Sequence, residues 1–238
     1  MHFNYNLLNG EVVDLALTDG VAHDNLYKLG KTETIQANGF YIRDLGYLDL
    51  NYLNSVAENN AYFLSRSKTN AVYSQLNEKG EFVRLDISEH LPKKGQTKEL
   101  TDVYIGWGRT KVKTRLIMQA VPEEVAIKRL KKLEQYASKH KNLTISEQRK
   151  AMCFFNMYIT NATQEMLPAS MVRIVYTLRW QIELIFKIWK SVFEIDKVKK
   201  MSIFRFECYI YYKLIAILLS LHIHNKFGQF CGMKVSLN

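Results

Sequence analysis

Alternating hydrophobic and polar positions open the chain and predict a β-hairpin. Residues His2–Leu8 and Glu11–Leu17 are both of the extended type, and Asn9-Gly10 lies between them. The Asn-Gly pair tolerates the positive φ angles of a tight type I′ turn, which joins antiparallel strands. A short helix is also predicted after His23-Asp24.

The next apolar segments predict a strand, a helix and a second strand. Phe40–Arg43 reads as a buried strand that ends at Asp44, and Ala61–Leu64 reads as another strand. Between them apolar residues recur at helical spacing, namely Leu48, Tyr52, Leu53 and Val56. A strand–helix–strand order is typical of parallel α/β units, so we expect an α/β fold.

The middle of the chain has the pattern of antiparallel strands, and the last part is mainly helical. Alternating runs at Phe82–Ile87 and Lys111–Met118 lie near glycine-containing turns, which predicts an inserted antiparallel β subdomain. After Pro122 helical patterns dominate, apart from a strand-like apolar run at Met152–Ile159. We expect four segments: 1–65 and 123–227 as the two parts of a core, 66–122 as a β-rich insertion, and 228–238 as an irregular tail.

One apolar run near the end of the chain belongs either in a membrane or in the protein interior. Cys208–His224 is apolar, but Lys213 interrupts it and Arg205 lies just before it. The run is also shorter than the ~20 apolar residues that cross a bilayer. We therefore expect a buried helix and no membrane span.

Composition and charge exclude some classes of protein and favour one kind of partner. Hydrophobic residues make up 47% of the chain, and the three cysteines form no Cys-x2-Cys pair, so a disordered chain, a disulfide scaffold and a zinc ribbon are all disfavoured. The formal net charge of the 238 residues is +10. Residues 1–100 contain 10 basic and 13 acidic side chains, whereas residues 101–238 contain 23 and 10. A polyanionic partner is favoured, with its binding surface in the second part.

The most informative helix is predicted over Met171–Phe193. At 100° per residue, five polar residues fall within an arc of roughly 80°. They are Tyr176, Arg179, Glu183, Lys187 and Lys190. Spacing alone allows a solvated face, in which Glu183 forms i,i+4 ion pairs, or a phosphodiester site, in which Glu183 holds a metal and the cations contact phosphate. Asp44 is a second candidate ligand because it ends a strand, although it could equally be a turn or N-cap residue.

Two segments carry a known signature. Tyr176–Lys190, YTLRWQIELIFKIWK, contains Tyr-x2-Arg-x3-Glu-x6-Lys, and Ile42–Leu50 reads IRDLGYLDL. The first matches the signature of DDE transposases of the insertion-sequence-four family, and the second resembles the segment around that family's second catalytic aspartate. A β-rich insertion between this aspartate and the glutamate is also a feature of the family. The resemblance covers essentially residues 1–225.

The resemblance implies an RNase H-like catalytic core that cuts and joins DNA with two Mg²⁺ ions, Mn²⁺ being an alternative. By position, Asp44 and Glu183 would be the second and third catalytic, metal-binding carboxylates. Contacts to transposon-end DNA would come from Tyr176, Arg179, Lys187 and Lys190. The resemblance also implies double-stranded DNA as the partner, a homodimer on that DNA, and a place in the bacterial cytoplasm at the nucleoid.

The family's first catalytic aspartate has no assigned counterpart in this chain. In the family it lies on a strand ahead of the hairpin, whereas Asp14, Asp19 and Asp24 all follow the hairpin turn. We therefore expect an N-terminally truncated core that lacks its first strand, is poorly stable because the hairpin has unpaired edges, and is inactive. Two alternatives are a stand-alone nuclease on the same fold and a non-catalytic DNA-binding remnant. Coding DNA for a strand ending in Asp, directly ahead of Met1, would favour truncation.

Overall fold

The computed structural model describes residues 2–16, 35–93, 95–140 and 145–230. In chain order the elements are β1 (His2–Tyr5), β2 (Val12–Ala16), β3 (Phe40–Arg43), α1 (Leu50–Glu58), β4 (Tyr62–Arg66), β5 (Tyr73–Leu76), β6 (Phe82–Leu85), β7 (Thr97–Trp107), β8 (Thr110–Ala120), α2 (Glu123–Lys139), α3 (Glu147–Met152), β9 (Phe155–Thr160), α4 (Ala169–Thr177), α5 (Trp180–Ser191) and α6 (Ile203–Phe230). The helix predicted after His23-Asp24 lies outside the described residues.

The chain divides into two compact units, residues 1–23 with 179–238 and residues 24–178. We call them the helical unit and the sheet unit. These two units do not coincide with the four segments expected from the sequence, and that division into four segments stays a prediction. At the expected tail, residues 228–230 continue α6, and residues 231–238 lie outside the described part of the chain.

The predicted hairpin is present in the helical unit, but its turn is wider than the expected two residues. Backbone hydrogen bonds close the turn from Asn6 N–H to the Glu11 carbonyl at 2.8 Å and from Gly10 N–H to the Asn6 carbonyl at 2.9 Å. The side chains of Asn6 and Asn9 accept backbone N–H bonds from Leu8 and Glu11. These local bonds stabilise the wider turn, so the type I′ prediction is wrong. Among the residues of this turn, only Gly10 has a positive φ angle, 74°, in the left-handed region that favours glycine.

The core of the helical unit lies between α5, α6 and the hairpin. Tyr5, Val12 and Leu15 of the hairpin pack against this core. Its buried members are Ile185, Trp189, Ile195, Ile210, Leu214 and Ile217. The apolar run predicted as a buried helix is therefore helical, but only one side of it is buried.

The other side of α6 is apolar and exposed. Tyr212, Ile215 and Leu219 are 71%, 57% and 58% exposed, respectively. Ile203–Ile223 is long and apolar enough to cross a membrane, but the core helices of some other proteins are too. In this helix 17% of the most apolar 18-residue stretch is buried. The prediction of a fully buried helix is wrong. The side chains of α6 are apolar on all sides of the helix, but the core covers only one stripe of them.

A seven-stranded mixed sheet forms the sheet unit, in the order β3-β4-β9-β8-β7-β5-β6. β3 and β4 pair in parallel and are joined by α1, as predicted, and the remaining pairs are antiparallel. The strand predicted near Met152–Ile159 is β9. The predicted β insertion is antiparallel but is not a separate sheet, because β8 pairs with β9 as well as with β7.

Cores lie on both faces of this sheet. Adjacent residues of β4 show the alternation: Phe63 belongs to the core on the α1 side, and Leu64 belongs to the core on the α4 side. The α4 side contains the buried residues Leu64, Ile117, Tyr158, Ala162, Leu167, Val172 and Tyr176. A candidate site residue, Tyr176, is thus fixed to the sheet by packing.

Candidate functional site

Asp44 lies at the carboxyl end of β3, as the sequence predicts. Its backbone is extended, with φ of −73° and ψ of 155°, and a short 3₁₀ turn follows at Leu45–Tyr47. The side chain makes no capping hydrogen bond to that turn. Asp49 is the residue that caps α1, since its carboxylate accepts from Asn51 N–H at 2.9 Å. The capping explanation therefore applies to Asp49 and leaves the Asp44 carboxylate to other partners.

Tyr176 is one partner of Asp44. The Tyr176 hydroxyl donates to Oδ1 of Asp44 at 3.3 Å, a long hydrogen bond that places the two groups together. The ring is buried and meets the Tyr158 ring edge-to-face, with centroids 5.3 Å apart. Two predicted site residues that are 132 positions apart in the chain thus meet on the α4 side of the sheet.

The single helix predicted over Met171–Phe193 is two helices. α4 ends at Thr177 and α5 begins at Trp180, and the junction contains i→i−3 hydrogen bonds from Leu178 to Val175 and from Ile182 to Arg179. Tyr176 therefore belongs to α4 and to the sheet unit, whereas Glu183 belongs to α5 and to the helical unit. The expected arc of five residues on one helix is wrong in this respect.

Arg179 and Glu183 form an ion pair at the start of α5. Arg179 Nη1 lies 2.8 Å from Glu183 Oε1, and their side chains are 17% and 46% exposed. The Arg179 guanidinium also lies 5.7 Å from the centroid of the Trp180 ring. The i,i+4 pair expected of a solvated helix is therefore present, and it holds the carboxylate next to a cation.

Lys187 and Lys190 extend this polar face of α5. Together with Glu183, Phe186 and Ser191 they line an open groove. Both lysines are exposed, and neither takes part in an ion pair with another described residue. On an ideal helix Glu183, Lys187 and Lys190 span an arc of roughly 60°. The groove thus offers one carboxylate beside two cations.

The donor atoms at Asp44 and Glu183 have the right chemistry for a hard divalent ion, because Mg²⁺ prefers carboxylate oxygens. The two carboxylates belong to different units of the chain, Asp44 to the sheet unit and Glu183 to the helical unit. Within the described ranges no group of three or more His, Cys, Asp or Glu side chains comes together in a way that could hold a metal. Asp14 lies on β2, and Asp19 and Asp24 fall outside the described residues.

Arg115 is a residue whose role the sequence pattern does not reveal. It pairs with Glu99 and donates to the carbonyl oxygens of Ala162, Thr163 and Leu167, at 2.6, 2.8 and 3.1 Å from Nη1. This segment leads directly into α4, which carries Tyr176. Arg115 lies on the same face of β8 as Lys111 and Lys113, and two lysines at this spacing are typical of a solvated face. Nothing in the alternation indicates its burial.

Comparison with known proteins gives one consistent result. Residues 1–219 match the family model described as the transposase DDE domain. The transposase for insertion sequence element IS1151 of Clostridium perfringens is 34% identical over 235 residues, and the transposases for IS231C and IS231E of Bacillus thuringiensis are 32% and 33% identical over 233 and 234 residues. Each match covers 92% of this chain and 49%, 48% and 48% of the relative, respectively. The chain spans about half the length of these curated relatives.

Proposed function

Because this chain belongs to the transposase DDE domain family, we propose that it is the part of a DNA transposase catalytic domain that presents Glu183 and the α5 cations to DNA. The family predicted from the Tyr176–Lys190 signature is confirmed by the match over residues 1–219. The mixed sheet with helices on its faces is consistent with the RNase H-like α/β fold that this family implies. The finer assignments below are our proposal.

The observation that carries the proposal is the groove on α5. Glu183 lies there between the Arg179 guanidinium and the exposed Lys187 and Lys190. Cations of this kind bind phosphate oxygens and release the counterions of the duplex, which stabilises the complex in a salt-dependent way. In this proposal the Arg179–Glu183 pair keeps the carboxylate in place, and the two lysines contact the DNA backbone.

Asp44 and Glu183 are the carboxylates that we assign to divalent metal, with Mg²⁺ as the ion and Mn²⁺ as its substitute. Such ions activate a water or a 3′-hydroxyl and stabilise a leaving 3′ oxygen. The chain's own contribution at Asp44 is positional, since the Tyr176 hydroxyl donates to its carboxylate. We also propose, as the sequence predicts, that these 238 residues bind DNA without cutting it.

The proposed partner is double-stranded DNA, both the transposon ends and the target, in the bacterial cytoplasm. Cleavage and strand transfer are proposed for the whole transposase, and a homodimer on DNA is proposed because two transposon ends must be held together. The similarity to transposases of insertion sequence elements supports these assignments.

A binding and nicking assay tests the proposed function. The chain and its Glu183→Gln variant are mixed with a labelled duplex and then with supercoiled plasmid, in Mg²⁺ and in Mn²⁺. We expect duplex binding with a dissociation constant on the order of 10⁻⁶–10⁻⁴ M at physiological salt, and no nicking by either protein. Failure of both proteins to bind DNA would overturn the proposal. Nicking that disappears in the variant would instead establish a stand-alone nuclease that uses Glu183.

A further inference from the structure

Two arginines of the sheet unit meet at one asparagine, and a third acts electrostatically on the neighbouring Tyr158. Arg66 is the last residue of β4 and lies opposite Tyr158 of β9 in the antiparallel register. Side chains at paired positions point to the same face, and so does Asn156, two residues before Tyr158. Arg129 comes from α2, and Arg173 comes from α4.

Two of these guanidinium groups share a single neutral acceptor. Arg129 Nη2 donates to Oδ1 of Asn156 at 2.7 Å, and Arg66 Nη2 donates to the same oxygen at 3.3 Å. Two like charges this close repel each other. Arg129 has further acceptors in the carbonyl oxygens of Cys153 and Phe155, at 3.4 and 3.1 Å. Arg129 is therefore also held by backbone carbonyl oxygens, whereas Asn156 is the only acceptor that the described residues offer to the Arg66 side chain.

No carboxylate compensates this charge among the described residues. Arg66, Arg129 and Arg173 form no ion pair there, and Nε of Arg66 is buried without a hydrogen-bond partner. Arg115 in the same unit shows the contrast, since Glu99 and three carbonyl oxygens satisfy it. Two guanidinium groups that share one neutral acceptor repel each other, so an anion bound beside them would stabilise this arrangement.

Electrostatics at the neighbouring groups agree with an excess of positive charge. Burial lowers the pKa of Arg129, and the charge of Arg66 lowers it further. Burial raises the pKa of the Tyr158 hydroxyl, whereas the charges of Arg66 and Arg173 oppose that rise. Arg173 itself is exposed. A structural link between α2 and β9 accounts for Arg129 but leaves the Arg66 guanidinium, which has only the shared Asn156 acceptor, unexplained.

We propose that Arg66, Arg129 and Arg173 form an anion pocket that binds a phosphate group beside the Tyr158 hydroxyl. A guanidinium group presents several N–H donors in a planar fork, which matches the oxygens of phosphate. The phosphate belongs to the backbone of bound DNA, which rests on the proposed function. Free inorganic phosphate has the same chemistry and is the simplest probe of the pocket.

Thermal unfolding and duplex binding test this pocket on the intact chain. Inorganic phosphate replaces chloride at constant ionic strength, and the melting temperature is followed for the wild type, Arg66→Gln, Arg173→Gln and the control Arg84→Gln. Arg84 is exposed on β6, so Arg84→Gln removes the same charge at a site away from the pocket. Arg173 is also exposed, so we expect Arg173→Gln to fold. This variant still tests the pocket if Arg66→Gln, at a half-buried position, fails to fold. We expect phosphate to raise the melting temperature of the wild type and control by a few degrees, and the rise to be lost in both pocket variants.

Duplex binding then identifies the source of the phosphate. If the pocket holds a backbone phosphate, Arg173→Gln makes the negative slope of log K against log salt shallower by about 0.9, the change expected for one lost phosphate contact. Arg84→Gln leaves the slope unchanged. A phosphate effect without this change in slope supports the pocket and assigns it to a free phosphate group. An equal response of pocket and control variants to phosphate overturns the pocket. Absence of any duplex binding by the wild type would overturn the proposed function, and the phosphate titration would still decide the pocket.

Discussion

Single side chains join distant parts of the sheet unit, and Arg115 is the strongest example. Its side chain and that of Glu99 are 10% and 14% exposed. Both groups are thus largely removed from water, and each satisfies the other. The same arginine holds the segment that precedes α4 through the carbonyl oxygens of Ala162, Thr163 and Leu167. We infer that Arg115 keeps α4, and hence the Tyr176 hydroxyl, in its place beside Asp44.

Replacing Arg115 by Met is expected to lower the free energy of unfolding by about 3–5 kcal/mol, because it leaves Glu99 buried without its cation. Urea denaturation measures this loss. Arg115→Lys is the matched control, since it keeps the charge and loses the fork that reaches three carbonyl oxygens, and it should fall between Met and the wild type. A Met variant as stable as the wild type would show that the pair and the carbonyl contacts contribute nothing to stability.

Among the secondary-structure elements, α6 shows how one apolar sequence serves two environments. Leu214 is 2% exposed in the core of the helical unit, whereas Leu219 is 58% exposed on the opposite side of the same helix. Exposed apolar surface of this extent commonly marks an interaction site or an aggregation hazard. The helix is therefore held by one stripe of contacts only.

A pair of identical substitutions tests that orientation of α6. Leu214→Ala removes buried methyl groups and leaves a cavity, so it should lower the free energy of unfolding by about 2–5 kcal/mol. Leu219→Ala should change it by no more than about 0.5 kcal/mol, the usual range for surface positions. Chemical denaturation of the two variants gives both numbers, and equal losses would mean that both sides of α6 are buried.

Local patterns predict the elements better than they predict their limits and contacts. The hairpin, the β3–α1–β4 unit and β9 follow from alternation and helical spacing. The break between α4 and α5 does not, because Leu178 and Arg179 both have helical dihedral angles and neither is Gly or Pro. A change to i→i−3 hydrogen bonding leaves no mark on composition.

Contacts over long sequence separations are also invisible in the sequence. Tyr176 meets Asp44 across 132 positions, and Arg66 meets Asn156 across 90 positions. Such pairs depend on strand order and register, which periodicity does not specify. The family resemblance, through the Tyr176–Lys190 signature and the Ile42–Leu50 segment, implied site roles for Tyr176, Glu183 and Asp44, but it implied none for Arg66 or Arg115. The contacts on which we base those two roles are visible only in the structure.

For the whole molecule, the central claim is that α5 presents its lysines to DNA. The net charge of +10 is concentrated after residue 100, but charge alone does not identify a binding surface, since most exposed lysines are simply solvated. What distinguishes Lys187 and Lys190 is their position beside Glu183 in one groove of α5, within the region that matches the transposase DDE domain. We therefore expect two specific charges, those of Lys187 and Lys190, to contact DNA.

The most direct test is the salt dependence of duplex binding, measured by fluorescence anisotropy for the wild type, Lys187→Gln/Lys190→Gln and Lys68→Gln/Lys79→Gln. The last variant removes two exposed lysines from the sheet unit and is matched in charge. If both α5 lysines contact phosphates, their loss makes the negative slope of log K against log salt shallower by about 1.8, and the control leaves the slope unchanged. Equal slopes for the two double variants would contradict the account, because the α5 lysines would then act only through the net charge of the chain.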